Sequence, residues 1–225
     1  MIKIFAAISI MFSILIIPFI AYALSEEEIK LPSPQLEGKM SVEEALTRRR
    51  SRRVFKDYSL TMEQVSQLLW SAQGITEKRR GFRTAPSAGA TYPLDIYLVV
   101  GKDKVENLKA GVYHYNHHHS LTIILEGDKR RELARACLRQ KFIEDAPVSL
   151  IITAEFSRIT NRYGKRGVYY AYMEAGHIGQ NVYLQAESLG LGTVVIGAFY
   201  EEDVSQALNL PDQHIPLYVM PVGYY

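Results

Sequence analysis

Apolar and polar positions divide the chain into helical and extended segments. Ser41 and Thr61 each begin a capping-box pattern, with a glutamate or glutamine three positions later and apolar residues at helical spacing beyond. Gly74 and Gly190 follow apolar-periodic stretches, at positions where a glycine commonly ends a helix. The pattern predicts five helices, at residues 42–50, 61–74, 128–139, 167–189 and 202–208.

Extended segments lie between these helices. Residues 148–154 are almost all apolar, which is typical of a strand buried on both faces of a sheet. Residues 75–93 lack periodicity and predict a long glycine-bearing loop, a kind of segment that is often functional. Helices and strands together predict an α+β or α/β sandwich. The predicted strands are residues 94–100, 111–115, 121–125, 148–154, 193–196 and 216–223.

The first 23 residues have a different character. From Ile4 to Leu24 there is no charged residue, and Lys3 is the only positive residue before this stretch. Residues 1–23 therefore predict a secretory signal peptide, or an uncleaved anchor that places the domain on the extracytoplasmic side of a membrane. A buried core helix is the alternative. Residues 24–40 predict a polar linker or arm, and residues 41–225 one domain.

Composition excludes several classes of partner. The 225 residues carry a formal net charge of +2, which is too small to indicate nucleic acid or a general membrane surface as the partner. The single Cys137 excludes an intrachain disulfide framework, and we expect it to be a small buried apolar residue. His117, His118 and His119 are consecutive, so their side chains diverge; we expect a solvated hairpin tip and no metal site.

Positive charge is nevertheless concentrated in one place, the run RRRSRRVF at residues 48–55. We call Arg48–Arg53 the arginine cluster. Arginine forks around a serine hydroxyl are suited to binding a phosphate. The alternative is a solvated basic end of the first helix, where cations are favoured by the helix dipole. The chain has neither a GxxxxGK[ST] phosphate loop nor a GxGxxG turn after a strand.

Two further stretches are rich in small residues. RTAPSAGATYPLDIYLVV, at residues 83–100, places an irregular backbone before a strand, and EAGHIGQNVYLQAESLGLGTVVIGAF, at residues 174–199, joins a helix to a short strand. Such backbones can approach a flat ligand closely. Ala171, Ala175 and Gly179 form a small-residue stripe on the long helix, which suits either a subunit interface or tight core packing.

These three elements, in this order, resemble the FMN-dependent nitroreductase superfamily. The strings RYGKRG, EAGHIGQN and LGLGTVVIGAF are most similar to its azoline-oxidising branch, which forms thiazole and oxazole rings in peptides. The resemblance covers residues 41–223. It implies a three-layer α+β sandwich with a central, mainly antiparallel sheet flanked by helices, and a homodimer that binds FMN at the subunit interface.

The resemblance also implies the residues that bind the cofactor. Arg49, Arg50, Ser51 and Arg53 would hold the FMN phosphate and ribityl end. Pro86, Ser87, Ala88 and Gly89 would line the flavin, in the site of the partner subunit, and Ile196, Gly197 and Ala198 would lie near the ring. Two departures stand out: Ala90 replaces a flavin-contacting asparagine of many relatives, and Tyr225 comes before the position of a terminal basic pair. The additional arginines would compensate for that pair.

The implied chemistry is hydride transfer through flavin N5, with NADH or NADPH as the donor and a nitro, quinone or enone compound as the acceptor. In the azoline branch the substrate, small or peptidic, is oxidised instead. Tyr163 and Lys165, expected in a loop, are weak candidates for proton removal. Dehalogenation and flavin fragmentation are further possibilities within the superfamily. The alternative from another class is a non-catalytic, membrane-anchored module that binds anions through the arginine cluster.

Overall fold

Ser41 and Thr61 each cap the start of a helix in the computed structural model, which describes residues 28–225. The Ser41 side chain accepts from the backbone N–H of Glu44, and the Thr61 side chain accepts from that of Gln64. The Gln64 side chain also accepts from the backbone N–H of Thr61, which completes the reciprocal box. The helices are α1 (Val42–Arg48), α2 (Met62–Gln73), α3 (Arg130–Ala136), α4 (Lys141–Asp145), α5 (Ser157–Tyr163), α6 (Arg166–Ser188) and α7 (Glu201–Leu208).

Seven strands form one sheet in the order β1-β6-β5-β4-β7-β9-β8, and every neighbouring pair is antiparallel. A separate two-stranded hairpin consists of β2 and β3. The strands are β1 (Glu28–Lys30), β2 (Ile75–Glu77), β3 (Phe82–Arg83), β4 (Leu94–Val100), β5 (Gly111–Asn116), β6 (Ser120–Glu126), β7 (Val148–Ala154), β8 (Gly192–Thr193) and β9 (Ile215–Gly223).

The sheet is covered on both faces, as the predicted three-layer α+β sandwich requires. Leu98 and Leu150 pack with the apolar sides of α2 and α6 on one face. Tyr97 and Ile151 belong to the other face, which α3, α4 and α7 cover. All seven residues of β7 are buried, because this central strand lies between the two layers.

The small-residue stripe of α6 lies in the core of the chain. Ala171 and Ala175 are 0% and 1% exposed. A Cβ added at Gly179 would lie 3.2 Å from the Cγ2 atom of Val195, which is tighter than nearly all real contacts of this kind. The sequence predicts that the stripe serves either a subunit interface or tight core packing. Core packing accounts for its buried positions, because small residues let α6 approach the sheet edge.

Several boundaries differ from the sequence expectation for local reasons. The predicted helix at 128–139 is shorter, Arg130–Ala136, because Leu138 and Arg139 adopt left-handed φ values of 56° and 60° just beyond the end of α3; α4 is a separate helix that follows them. Residues 75–93 contain the β2–β3 hairpin and a short 3-10 helix at Ala88–Ala90. Part of the predicted arm, β1, pairs with β6 at the sheet edge.

The apolar segment predicted as a signal peptide or membrane anchor, residues 1–23, lies outside the described residues. Within residues 28–225, no helix combines the length and the apolar character needed to cross a bilayer.

The capping box of α2 provides a direct test of the fold. Replacement of Thr61 by Ala removes the side-chain acceptor for the Gln64 N–H and should lower the free energy of unfolding by about 1 kcal/mol. Urea denaturation measures this change. Thr47→Ala is the matched control, since the Thr47 hydroxyl donates only to a carbonyl of its own exposed helix, and its effect should stay within about 0.5 kcal/mol. Equal losses in both variants would contradict the assigned cap.

Candidate functional site

The chain that follows α1 is bound to an edge of the central sheet. Ser51 forms a parallel bridge with Thr193 of β8, and the backbone N–H of Arg52 donates to the carbonyl of Thr193 over 2.9 Å. The backbone N–H of Arg50 donates to the carboxylate of the buried Glu187 on α6 over 3.3 Å. The arginine cluster is therefore held in place at the sheet edge by its main chain.

Tyr183 of α6 connects the arginine cluster to the residues that follow β8. Its hydroxyl lies 2.9 Å from the Ser51 hydroxyl and accepts the backbone N–H of Val195, also at 2.9 Å. The Arg49 guanidinium carbon lies 5.0 Å from the centre of the Tyr183 ring, in a cation–π contact. If Tyr183 donates to Ser51, the proton of the Ser51 hydroxyl remains available to an anion.

The arginines of the cluster have different surroundings. Arg48 forms an exposed ion pair with Glu44 over 2.6 Å. The guanidinium of Arg50 donates to the last carbonyls of α1, and that of Arg52 lies 4.1 Å from the centre of the Tyr225 ring. Within residues 28–225 Arg49, Arg52 and Arg53 have no carboxylate partner within 4.0 Å, but the Nε atom of Arg52 is buried. Arg49 and Arg53 are therefore the cations best placed to bind an external anion.

Residues 196–198 lie at the same edge. Ile196 exchanges both main-chain hydrogen bonds with Val219 of β9, at 2.9 and 3.0 Å, which fixes the connection onto the sheet. Gly197 and Ala198 are exposed just beyond this bridge. A cavity of about 260 Å³ opens beside Gly197, between α6 and the start of β9. Its lining includes Tyr172, Ala175 and Tyr218. Short side chains at 197 and 198 leave the main chain open to a planar group.

The loop at residues 86–89 packs against the other half of α6. Gly89 has a left-handed φ of 60°, and its carbonyl accepts from the Arg162 guanidinium over 3.1 Å. A Cβ at Gly89 would lie 2.5 Å from the Tyr163 hydroxyl, so a larger residue does not fit without a shift. Ser87 accepts the backbone N–H of Tyr92 over 2.9 Å. These contacts hold the loop at the α5–α6 junction.

Within one chain, the loop and the arginine cluster contact α6 at separate places. Ser87 faces Glu174, whereas Ser51 contacts Tyr183, nine residues later on the helix. That separation is about 13 Å along the helix axis. The structure thus brings Arg49, Ser51 and Ile196–Ala198 to one edge and leaves Pro86–Gly89 apart from them. That the loop serves a second copy of the site stays a prediction.

Glu174 lies beneath the loop and is 2% exposed. Its Oε1 atom accepts from the Gln73 side chain over 3.3 Å, while Oε2 is buried with no hydrogen-bond partner among the described residues. Burial raises the pKa of Glu174 to about 7, although Ser87, Gln73 and the charge of Arg83 act in the opposite direction. Near neutral pH this carboxyl group can therefore hold or release a proton.

Tyr163 lies in a helix, contrary to expectation, whereas Lys165 lies in the two-residue turn between α5 and α6. Tyr163 is the last residue of α5, half-buried against Tyr170 with ring centres 5.2 Å apart. Lys165 is exposed and caps the start of α6. Of the two candidates, the structure places Tyr163 beside the 86–89 loop.

Cys137 and the consecutive histidines lie where the sequence predicted, except for His119. Cys137 is fully buried, and burial raises the pKa of its thiol to about 12. His117 and His118 are exposed at the β5–β6 turn, whereas His119 is half-buried and its Nε2 atom lies 2.8 Å from the Pro32 carbonyl. His119 thus attaches the arm to the sheet. Asn181 donates to the carbonyls of Ser71 and Thr84, a structural role.

Within the described residues, one group has potential metal ligands close together, and it does not include the three consecutive histidines. Asp95, Glu155 and His214 place their ligand atoms within 4.8 Å of one another. Both carboxylates already bind the Arg158 guanidinium, at 2.8 and 2.7 Å. Arg158 therefore already compensates the charge of both carboxylates.

Tyr183, Thr193 and Glu174 are site residues that the sequence pattern did not reveal. Each lies inside a regular helix or a short strand, where its neighbours have ordinary packing roles. The spacing of Gly179 and Tyr183, one helical turn apart, places both on the side of α6 that faces Val195. No chemical motif in the sequence marks that side.

The chain is an α+β protein. At one edge of its sheet, arginine and serine side chains lie beside the connection Ile196–Ala198, in which Gly197 and Ala198 are small. The chain belongs to the nitroreductase family: the model described as Nitroreductase family matches residues 46–224. The putative nitroreductase MJ1384 of Methanocaldococcus jannaschii is 47% identical over 197 residues, 87% of this chain and 96% of that protein.

Two other relatives have more specific descriptions. The microcin B17-processing protein McbC of Escherichia coli is 27% identical over 178 residues, 73% of this chain and 62% of McbC. A chain in the structure of the E. coli microcin synthetase McbBCD complex superposes with a TM-score of 0.67 at 25% identity, covering 80% of this chain and 72% of that one. The FMN reductase (NADPH) of Bacillus subtilis is 23% identical over 195 residues, 80% of this chain and 64% of that protein.

The buried carboxyl group of Glu174 predicts a specific pH dependence. Its folded pKa of about 7 lies above the unfolded value near 4.5, so the native state binds the additional proton between these values. Stability should therefore fall as pH rises from about 4.5 to about 7 and then level off. Glu174→Gln removes this decline, so between pH 5 and pH 8 the free energy of unfolding of wild type should fall by about 2.5 kcal/mol relative to that of the variant.

Urea denaturation at pH 5, 6, 7 and 8 measures the difference. Glu202→Gln, at an exposed position on α7, is the control and should follow the wild-type profile. Parallel profiles for Glu174→Gln and wild type would show that the Glu174 carboxyl group does not titrate as described.

Proposed function

We propose that this oxidoreductase of the nitroreductase family binds FMN and uses it to transfer a hydride to or from a substrate. The observation that carries the proposal is the position of Tyr183, whose hydroxyl contacts both Ser51 and Val195. Through this contact, a cationic segment suited to a phosphate and a small-residue connection suited to a flat ring lie on one edge of the sheet.

The donor set fits a phosphate dianion. Arg49 and Arg53 supply uncompensated positive charge, and Ser51 supplies a short hydroxyl donor. Arg50 is a weaker candidate, because its guanidinium already caps α1. At the other end, the exposed main chain of Gly197 and Ala198 and the cavity beside it leave room for a planar ring. FMN, when bound, supplies the hydride chemistry, and the protein supplies binding and orientation.

The proposal includes a second copy of the chain. Pro86, Ser87, Ala88 and Gly89 lie about 13 Å along α6 from Tyr183, so they would line the ring bound by the partner. Exposed large side chains on and near α6 support such an interface. They are Tyr169, Tyr172, Met173 and Tyr200, each more than half exposed. Exposed large side chains of this kind are typical of an interface.

Relatives support two substrate classes. The B. subtilis relative, an FMN reductase (NADPH), supports NADH or NADPH as the donor, with a small nitro, quinone or enone compound as the acceptor. McbC, a microcin-processing protein, supports the second candidate, oxidation of an azoline in a peptide. Tyr163 beside the loop is then the better placed of the two candidates for proton removal.

Residues 1–23 are proposed to place the domain on the extracytoplasmic side, as an exported or anchored protein.

Loss of FMN from a double variant tests the phosphate site. Arg49→Ala with Arg53→Ala removes two charge-assisted contacts, each worth about 1.5–3 kcal/mol, so FMN affinity should fall at least 100-fold. Flavin fluorescence titration of the purified protein measures this change. Arg48→Ala is the matched control, because that arginine pairs with Glu44 away from the edge. Full FMN occupancy in the double variant would refute the assignment.

The same preparation separates the enzyme from the alternative, an anion-binding module. A yellow protein that releases FMN on boiling, and whose reduced flavin is reoxidised by an acceptor, supports the oxidoreductase. A colourless protein that binds anionic vesicles in a salt-dependent manner, with equal losses in Arg48→Ala and Arg49→Ala, supports the module.

A further inference from the structure

A second cavity, of about 300 Å³, lies away from the arginine cluster where β4 and β5 separate. The ladder between β4 and β7 begins at Leu94, but the ladder between β4 and β5 begins only at the pair Tyr97–His114. The first residues of β4 therefore lack β5 as a neighbour. Gln73 from α2, Arg83 from β3 and Arg158 from α5 close the opening between the strands.

Most charged groups at this cavity compensate one another. Asp95 and Glu155 both bind the Arg158 guanidinium, and the Asp95 Oδ1 atom also lies 3.2 Å from the Nε2 atom of His114. Burial acts to raise the pKa of Asp95, but the His114 hydrogen bond and the charge of Arg158 outweigh it, so the pKa is lowered. The Asp95 carboxylate therefore stays ionised and balances Arg158.

Arg83 is the exception. Among residues 28–225 no carboxylate oxygen lies within 4.0 Å of its guanidinium. Nη1 donates to the Gln73 side chain over 3.2 Å, and the Tyr92 ring covers one face of the guanidinium at 4.3 Å. A cation–π contact uses the face of the group and leaves the N–H donors in its plane free. Burial lowers the pKa of Arg83, as expected for a cation that is poorly solvated.

We infer that this cavity is a binding site for a small monocarboxylate, which Arg83 holds through its free in-plane N–H groups. A carboxylate matches the fork of a guanidinium in a bidentate manner. The site is distinct from the arginine cluster, and the inference does not depend on the proposed redox function.

The other residues that line the cavity determine which kind of anion it can bind. Asp95 and Glu155 already compensate Arg158. Arg83 therefore offers one uncompensated positive charge, which matches a monoanion better than a dianion such as sulfate or hydrogen phosphate. Leu94, Ile96 and Tyr115 supply an apolar wall for the remainder of an organic acid. The volume is near the lower limit for small-molecule sites. These features favour a compact acid with one carboxylate and an apolar body.

Benzoate is a suitable probe, with acetate as the smaller acid and sulfate as the dianion. Isothermal titration of the full-length protein at constant ionic strength should show benzoate binding more tightly than acetate, and sulfate binding at least tenfold more weakly than benzoate. Measurements with FMN added and without it separate this site from the phosphate site, since benzoate affinity should change less than threefold between the two.

Arg83→Gln should weaken benzoate binding at least tenfold, while Arg79→Gln, at an exposed arginine of the same hairpin, should change it less than twofold. Arg83→Lys keeps the positive charge but loses the paired N–H donors of the guanidinium, so its affinity for benzoate should be intermediate. This variant replaces Arg83→Gln in the test if the glutamine variant does not fold. A crystal structure with benzoate should place its carboxylate on Arg83. The inference is overturned if wild type does not bind benzoate, if Arg83→Lys and wild type bind it equally, or if the crystal places it elsewhere.

Discussion

The close approach of α6 to the edge of the central sheet is the constraint on which the rest of the site depends. Gly179 favours it, because a Cβ there would lie 3.2 Å from Val195, and Ala171 and Ala175 keep the buried face of the helix narrow. At the observed separation the Tyr183 hydroxyl contacts both Ser51 and the backbone of Val195. Packing density thus controls the position of chemical groups that are distant in the sequence.

The same helix connects two functional regions while keeping them apart. Its C-terminal half holds the arginine cluster through Tyr183 and Glu187, and its N-terminal half lies beneath the 86–89 loop through Glu174. A rigid helix of 23 residues fixes the distance between the halves. The division explains why a site built from both regions calls for two copies of the chain, as proposed.

Some arginines of the molecule have their charge compensated by other groups of the chain, and others remain available to a ligand. Arg158 lies between two carboxylates, Arg130 binds Asp128 over 2.7 Å, and Arg50 caps a helix. These groups stabilise the fold and have little capacity left for a ligand. Arg49, Arg53 and Arg83 have no such partner among the described residues, and each of the proposed sites depends on one or two of them. The number of arginines in a sequence says little about binding until their partners are known.

Local signals in the sequence determined much of the fold. The capping boxes at Ser41 and Thr61, the apolar run at 148–154 and the glycines that follow α2 and α6 act over a few residues, so periodicity and cap chemistry were sufficient to predict those elements. The resemblance in residues 41–223 predicted the family, which the match over residues 46–224 confirms. The position of the arginine cluster as a candidate anion site also came from the sequence alone.

Only the tertiary structure decided how the cluster is held and which distant groups surround it: the Arg50 backbone N–H donates to Glu187, and the Arg52 guanidinium lies over the Tyr225 ring. The same holds for Tyr183, for the buried carboxyl group of Glu174 and for the cavity at Arg83, each formed by elements that meet only in the folded chain. Burial and strand separation are properties of packing, and no local pattern encodes them. Sequence determined the elements and the available chemistry, whereas packing decided which groups meet and which remain open to a ligand.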